Sequence, residues 1–323
     1  MDRYDRPQTQ GRTVVELNTL VTVPGYFLPL RMADYSKNLA ERFSNRGPKV
    51  GYCAICRAHG PLTADHVPPK NCGNINDSIF TDVYGPSPER PRKPVMSQGG
   101  SHFRTICAYC NNTVLGTEYD PALRDVVHQI ETYFKLASSS RLSLPRTRLF
   151  DYQPNRFLRA VAGHLLAANG VPDVVSNDRV APPDAALREY VLDPARCLPE
   201  ELCVYYWFYP HRRRVVMKHS AMGFFGGNGA TIYGHVFKFF PFGFWFVWNE
   251  DGDRSRQFAL RQMKDSSPFI SAASRMALDL WPLQSLNFPE APSNDGMWLV
   301  ADQYVSQADD REKQSRVRTP ESP

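Results

Sequence analysis

Residues 53–70 read CAICRAHGPLTADHVPPK and residues 107–112 read CAYCNN, and these two stretches decide how the middle of the chain folds. Each stretch begins with two cysteines separated by two residues. Both sulfurs of such a turn can point at one ion, and two turns supply the four thiolates that a tetrahedral Zn²⁺ site needs. The alternative is a coincidental set of reduced thiols. The spacing therefore predicts a structural zinc ion held by Cys53, Cys56, Cys107 and Cys110.

The residues next to these cysteines carry the reactive side chains. A zinc ion with four cysteine ligands has no open position and does no chemistry, so the chemistry must come from the groups that it holds in place. Asp65 and His66 follow nine and ten residues after Cys56, and Asn111 comes directly after Cys110. The zinc site would thus bring an Asp-His pair close to an asparagine from a distant part of the sequence.

Taken together, the first Cys-x-x-Cys turn, DHVPPK and the second turn followed by asparagine resemble the HNH, or ββα-metal, nuclease family. The similarity is greatest to the zinc-stapled branch of that family, and it covers roughly residues 50–125. The resemblance implies a ββα-metal domain with a structural zinc held by four cysteines. Helix and strand patterns after residue 150 predict a second mixed α+β domain, so the expected fold class is α+β.

The resemblance also implies a role for each matching residue. His66 would be the general base that takes a proton from water, which suits an imidazole because its pKa lies near neutral pH. Asp65 would bind the catalytic divalent metal, and Asn111 would be a second ligand through its amide oxygen. Such hard oxygen ligands suit Mg²⁺ or Mn²⁺, which would stabilise charge on the scissile phosphate.

Two features of the sequence depart from the family pattern. Many relatives have histidine where Asn111 stands, and many carry an asparagine shortly before the second Cys-x-x-Cys turn that orients the base. Residues 101–104 read SHFR and contain no asparagine, which leaves His102 as a candidate for that role or for metal binding.

The geometry of a strand also bears on the proposed site. Neighbouring side chains of a strand point to opposite faces, so Asp65 and His66 converge only if the strand ends or bulges there. The prolines of DHVPP favour a strand end.

The remainder of the chain divides by composition into further segments. The predicted organisation is a lead-in at 1–48, an HNH-type domain at 49–137, a linker at 138–149, an α+β domain at 150–305 and a disordered polar tail at 306–323. Residues 84–102, rich in Pro and Gly, are predicted to be irregular. The predicted helices are Met32–Asn45, Asp120–Ala137, Asn155–Asn169 and Ser267–Leu280, and the predicted strands include Thr13–Val23, Leu202–Tyr209, Ala230–Phe240 and Phe242–Asn249.

Charge and cysteine content bound the partners and the compartment. A net charge of +5 is mildly basic and permits a polyanionic partner. The candidates for phosphate contact are Lys70, Arg90, Arg92 and Lys93. The sequence contains no run of eighteen apolar residues, so no membrane span is predicted. The first residues contain no apolar segment typical of a secretory signal. Cys-x-x-Cys pairs in such a chain favour metal binding over disulfides, which predicts a cytoplasmic protein.

These observations predict a metal-dependent HNH endonuclease that hydrolyses phosphodiester bonds of DNA; RNA is the alternative substrate, and DNA is favoured because the resembled family mostly cuts DNA. The C-terminal domain would target or regulate the nuclease, through a ligand or a protein partner. The alternative is a catalytically degenerate zinc-knuckle module that binds nucleic acid or protein. Convergence of the side chains of Asp65, His66 and Asn111 would favour the enzyme, and divergence would favour the binding module.

Overall fold

A computed structural model describes residues 47–81, 95–140, 143–168, 181–224, 231–248, 258, 260–263, 272–281, 283–290, 297–301 and 305–311. The predicted elements at Thr13–Val23 and Met32–Asn45 lie outside these residues, as do Arg90, Arg92 and Lys93. The described part of the chain is mixed α+β, as predicted. Within it, no helix is both long and apolar enough to cross a membrane.

The cysteine motifs lie on a small antiparallel sheet and the helix that follows it. The sheet has the order β1-β2-β5, with β1 at Val50–Tyr52, β2 at His59–His66 and β5 at His102–Cys107. A π-helical segment, Tyr109–Tyr119, follows β5 almost directly and continues as helix α1, Asp120–Ser140. The predicted helix Asp120–Ala137 is thus confirmed, and its apolar residues are buried at helical spacing: Leu123, Val126, Val127 and Ile130.

A larger sheet contains strands from both predicted domains. The strands are β3 Ser78–Thr81, β4 Val95–Ser97, β7 Leu202–Phe208, β8 Arg214–Phe224, β9 Thr231–Phe239, β10 Phe242–Trp248, β11 Arg261–Met263, β13 Met297–Ala301 and β14 Val305–Asp310. Their order is β11-β7-β10-β9-β8-β14-β3-β4, and β13 also pairs with β8. A separate two-stranded sheet pairs β6, Thr147–Tyr152, with β12, Ser274–Asp279.

Several predicted elements of the C-terminal part are confirmed. Strand β7 covers most of the predicted strand at Leu202–Tyr209, and β9 and β10 pair antiparallel on either side of Pro241. The predicted helix at Asn155–Asn169 is α2, Pro154–Ala167. A further helix, α3, spans Pro182–Leu192.

Three expectations about regular structure are wrong. The helix predicted within Ser267–Leu280 is replaced by strand β12, whose buried Met276 and Leu278 alternate with more exposed residues at the period of a strand. The stretch predicted as irregular contains β4 and the first residue of β5. The predicted tail begins inside β14, which lies between β3 and β8. Strands β12 and β14 find their partners far away in the sequence, and local composition does not show such a partner.

Helix α2 lies in the core, and its C-terminal half packs against the small sheet. Its apolar side chains are almost fully buried, and Thr105 of β5 donates a hydrogen bond to the carbonyl of Ala167 at the end of the helix. At Gly163, a Cβ atom would collide with the side chain of Leu115 in the π-helical segment. Glycine therefore permits the close approach that places the next residue, His164, beside β2.

Candidate functional site

The four predicted zinc ligands come together. Cys53 and Cys56 lie in the turn between β1 and β2, Cys107 ends β5, and Cys110 lies in the first turn of the following helix. The four Sγ atoms lie within 4.8 Å of one another, and those of Cys56 and Cys107 are 3.8 Å apart. The backbone N–H of Cys107 donates to Cys53 Sγ at 3.4 Å. Four sulfurs in this arrangement, with an amide donor, form a cluster that can hold a structural metal ion.

His66 is the last residue of β2, and its half-buried ring is held at one nitrogen. Nε2 lies 3.2 Å from the carbonyl oxygen of Gly99. A carbonyl only accepts hydrogen bonds, so Nε2 carries the proton of the neutral ring and Nδ1 keeps its lone pair. Burial lowers the pKa of His66, and the neighbouring His102 and Lys70 contribute in the same direction, while the hydrogen bond to Gly99 and the carboxylate of Asp65 partly offset them. The ring is therefore neutral at pH 7 and can accept a proton at Nδ1.

A buried asparagine that sequence reasoning missed supports the turn under His66. Asn74 Nδ2 donates to the carbonyls of Pro68 at 2.7 Å and Ser101 at 2.8 Å, and its Oδ1 accepts from the N–H of Ser101 at 2.7 Å. These bonds fasten the segment that follows His66 to the turn that contains Gly99. An asparagine shortly after DHVPPK was the only signal in the sequence, because the segment that it binds at Ser101 lies 27 residues away.

We expect Asn74→Ala to destabilise the folded chain by at least about 2 kcal/mol, because backbone groups of Pro68 and Ser101 would lose their buried partners. Urea denaturation measures this change. Asn71→Ala, at an exposed position of the same short segment, is the matched control and should leave the unfolding midpoint unchanged. Equal midpoints for both variants would contradict a supporting role for Asn74.

Asp65 faces the opposite side of β2 from His66 and is buried. Its Oδ2 accepts a hydrogen bond from His164 Nδ1 at 3.0 Å, and His164 Nε2 donates to Asp120 Oδ1 at 2.9 Å. Burial alone would lower the pKa of His164, but the carboxylates of Asp120 and Asp65 raise it to about 10. The ring is thus a buried imidazolium between two carboxylates. Its only signal in the sequence was a histidine on a helix that is otherwise largely apolar.

Asn111 binds the end of β2 from the first turn of the helix. Its Nδ2 donates to Thr63 Oγ1 at 3.1 Å and to the carbonyl of Ala64 at 3.3 Å, where the register between β2 and β5 shifts. These bonds occupy the amide nitrogen, so the amide oxygen is the atom left for a metal ion. The structure therefore places Asn111 next to the residues that precede Asp65 and His66, but it points those two side chains to opposite faces of the strand.

Two other residues predicted to contact phosphate or metal, Lys70 and His102, lie near His66. Lys70 is exposed four residues after His66, where a polyanion could reach it. His102 pairs with His66 across the two strands, and the ring centroids are 5.4 Å apart. Its Nδ1 lies 3.2 Å from the carbonyl of Gly100, so Nδ1 donates and Nε2 keeps its lone pair. Two half-buried histidines therefore lie side by side at the end of β2.

A second cluster with potential metal ligands lies between helix α3 and strands β8 and β9 of the large sheet, and it is built as an ion-pair network. Asp184, His219 and His235 are buried, with donor atoms within 4.8 Å of one another. However, Lys218 Nζ lies 2.9 Å from Asp184 Oδ2 and already balances its charge. The backbone N–H of His219 also donates to His235 Nδ1, which leaves the proton of the neutral ring on Nε2 and removes that atom as a ligand. With Nε2 of His235 protonated, only two of the three potential ligands remain, and this opposes a metal ion here.

We expect Asp184→Asn to destabilise the folded chain by about 3–5 kcal/mol, because it leaves the fully buried ammonium of Lys218 without its counter-charge. Burial alone would raise the pKa of Asp184, but Lys218 and the two histidines lower it well below its usual value, so the carboxylate is charged at neutral pH. Denaturant unfolding tests this expectation. Asp125→Asn, at an exposed ion pair, is the control. An equally small effect of both substitutions would show that Asp184 is not the counter-charge that Lys218 requires.

Comparison with known proteins gives no match: no family model, curated protein or solved structure is significantly similar to this chain. The function must therefore be argued from the chemistry of the site.

Proposed function

We propose that the chain is a metal-dependent endonuclease of the HNH type that hydrolyses phosphodiester bonds of DNA. The observation that carries the proposal is the position of His66. It ends a strand, its Nε2 is fixed by the carbonyl of Gly99, and its Nδ1 is left to accept a proton. The order of β2, β5 and the following helix, joined by four cysteines, supports the ββα-metal arrangement that the motifs resemble.

The donor chemistry is consistent with two different metal ions. Four clustered thiolates suit Zn²⁺, which would hold the two strands and the helix together. The remaining oxygen of Asp65 and the amide oxygen of Asn111 are hard donors that suit Mg²⁺ or Mn²⁺. When bound, such an ion would stabilise the negative charge that develops on the phosphate and on the leaving oxygen.

The chain's own residues would carry the proton transfer and the substrate contact. His66 Nδ1 would take the proton from the attacking water, and the carbonyl of Gly99 would hold the ring in place while it becomes positively charged. Lys70, which is exposed beyond the end of β2, would contact the phosphate backbone. The strands and helices of the C-terminal part would select the target or regulate cleavage.

A second candidate function rests on Asp65, whose side chain diverges from that of His66, the arrangement expected of a binding module. Its carboxylate is buried and paired with His164, on the face of β2 opposite to His66. Under this second function, the only role of Asp65 would be to fasten β2 to helix α2. The chain would then be a zinc-knuckle module that binds nucleic acid or protein without cleaving it.

The test is incubation of purified protein with plasmid DNA, single-stranded DNA and RNA, with Mg²⁺ or Mn²⁺ added or omitted. Omission is a cleaner control than a chelator, because a chelator also competes for the structural metal. Cleavage that requires the added ion and disappears in His66→Ala would support the nuclease. Binding of DNA or RNA without cleavage, in protein that retains its structural metal, would favour the zinc-knuckle module.

A further inference from the structure

We infer that His164, which lies outside the segment that resembles HNH nucleases, is a positioning residue that orients Asp65 toward the divalent ion. The inference rests on the proposed function. It assigns helix α2 to the candidate site itself, so the C-terminal part of the chain would help to build the ion site as well as select the target.

The contacts leave the ring of His164 no freedom to rotate. Nδ1 donates to Asp65 Oδ2 at 3.0 Å and Nε2 donates to Asp120 Oδ1 at 2.9 Å, so both nitrogens are held by carboxylates from different elements. The ring itself has no exposed surface. On one side, Gly163 allows the close approach to Leu115, and at the end of α2 the carbonyl of Ala167 is bound by Thr105. The position of Asp65 is therefore set by the docking of α2.

The arrangement matches what an ion-binding carboxylate requires. One oxygen of Asp65 is bonded to His164, so the carboxylate has a single orientation and its other oxygen is available to an ion. Groups that hold a metal-binding side chain in this way typically contribute about 10–100-fold to metal affinity or activity. Asp120 has a different role. It accepts the hydrogen bond from the other ring nitrogen, Nε2, and therefore fixes the ring of His164 without itself holding Asp65.

Two substitutions of His164 separate positioning from simple packing. The amide nitrogen of asparagine lies near the place of Nδ1, so His164→Asn keeps a donor for Asp65 and loses the bond to Asp120. The amide nitrogen of glutamine lies near the place of Nε2, so His164→Gln keeps a donor for Asp120 and loses the bond to Asp65. Each variant removes the positive charge that Asp65 and Asp120 share and keeps one of the two buried hydrogen bonds, so a purely structural role predicts equal effects.

The measurement is a titration of each full-length protein with Mn²⁺, followed by the electron paramagnetic resonance signal of free Mn²⁺, with thermal unfolding and zinc content recorded in parallel. We expect His164→Gln to bind Mn²⁺ about 10–100-fold more weakly than wild type, and His164→Asn to stay within a few-fold of it. Equal Mn²⁺ affinity in the two variants would overturn the inference.

The outcome is distinguishable from a failure of the proposed function. Wild-type protein that neither binds Mn²⁺ nor cleaves DNA would refute the nuclease, whereas wild type that does both, with equal variants, would refute only the role of His164. If the variants do not fold, ¹⁵N-histidine spectra of wild type provide a second measurement. Mg²⁺ should shift the ring signals of His164 together with those of His66, and an unchanged His164 beside a shifted His66 would overturn the inference.

Discussion

Cys107→Ser is expected to lose the bound metal ion and, with it, the folded state of the small sheet and the helix that follows it. Cys107 ends β5 and Cys110 begins the helix, while Cys53 and Cys56 precede β2, so the ion joins segments about fifty residues apart in sequence. Structural zinc sites contribute an apparent free energy of about 10–16 kcal/mol in small peptides, which equals or exceeds the total stability of a typical domain.

The measurement is metal content by mass spectrometry, together with thermal unfolding of the same samples. Wild type should contain one zinc ion per chain and Cys107→Ser none, with a large fall in the unfolding temperature. Cys197→Ser, at an exposed cysteine away from the cluster, is the matched control and should keep the ion and the stability. Retention of one full equivalent of zinc in Cys107→Ser would contradict the four-cysteine site, and a second equivalent in wild type would point to Asp184 and its histidines.

His66→Ala should lower the cleavage rate about 10²–10⁴-fold, the usual contribution of a general base, while the zinc content remains that of wild type. The reason is local. Nδ1 of this ring is the proposed proton acceptor at the end of β2, and alanine removes that atom together with the bond to Gly99. Initial rates on plasmid DNA at saturating Mn²⁺ measure the effect, and thermal unfolding separates it from a loss of folded protein.

Two other histidines make the result specific. His59→Ala changes an exposed residue at the start of the same strand and should keep the wild-type rate. His102→Ala removes the neighbouring ring, whose Nδ1 faces Ser97 and Gly100, and should have a much smaller effect than His66→Ala. A rate for His66→Ala equal to that of wild type would exclude this residue as the base. Equal losses from His66→Ala and His102→Ala would indicate that the two rings act as one unit.

The sequence by itself determined the features that depend on nearby residues. The Cys-x-x-Cys spacing predicted a four-sulfur cluster because each pair sits in one short turn, and the periodicity of apolar residues predicted α1 and α2. Alternating and aromatic stretches predicted β7, β9 and β10. In each of these cases the information is contained within a few residues, so the pattern can be seen without knowledge of what packs against it.

Only the tertiary structure decided which partners the side chains of the candidate site have. His164 lies 99 residues from Asp65 in sequence, and Asn74 binds the backbone of a residue 27 positions away. Strand β14 joins β3 across more than two hundred residues. These contacts arise from the docking of helices and strands, in particular the close approach at Gly163, and the free energy of such packing depends on surfaces that are brought together only in the folded chain. For that reason the sequence indicated several candidate residues of the site, while the fold decided which way Asp65 and His66 face.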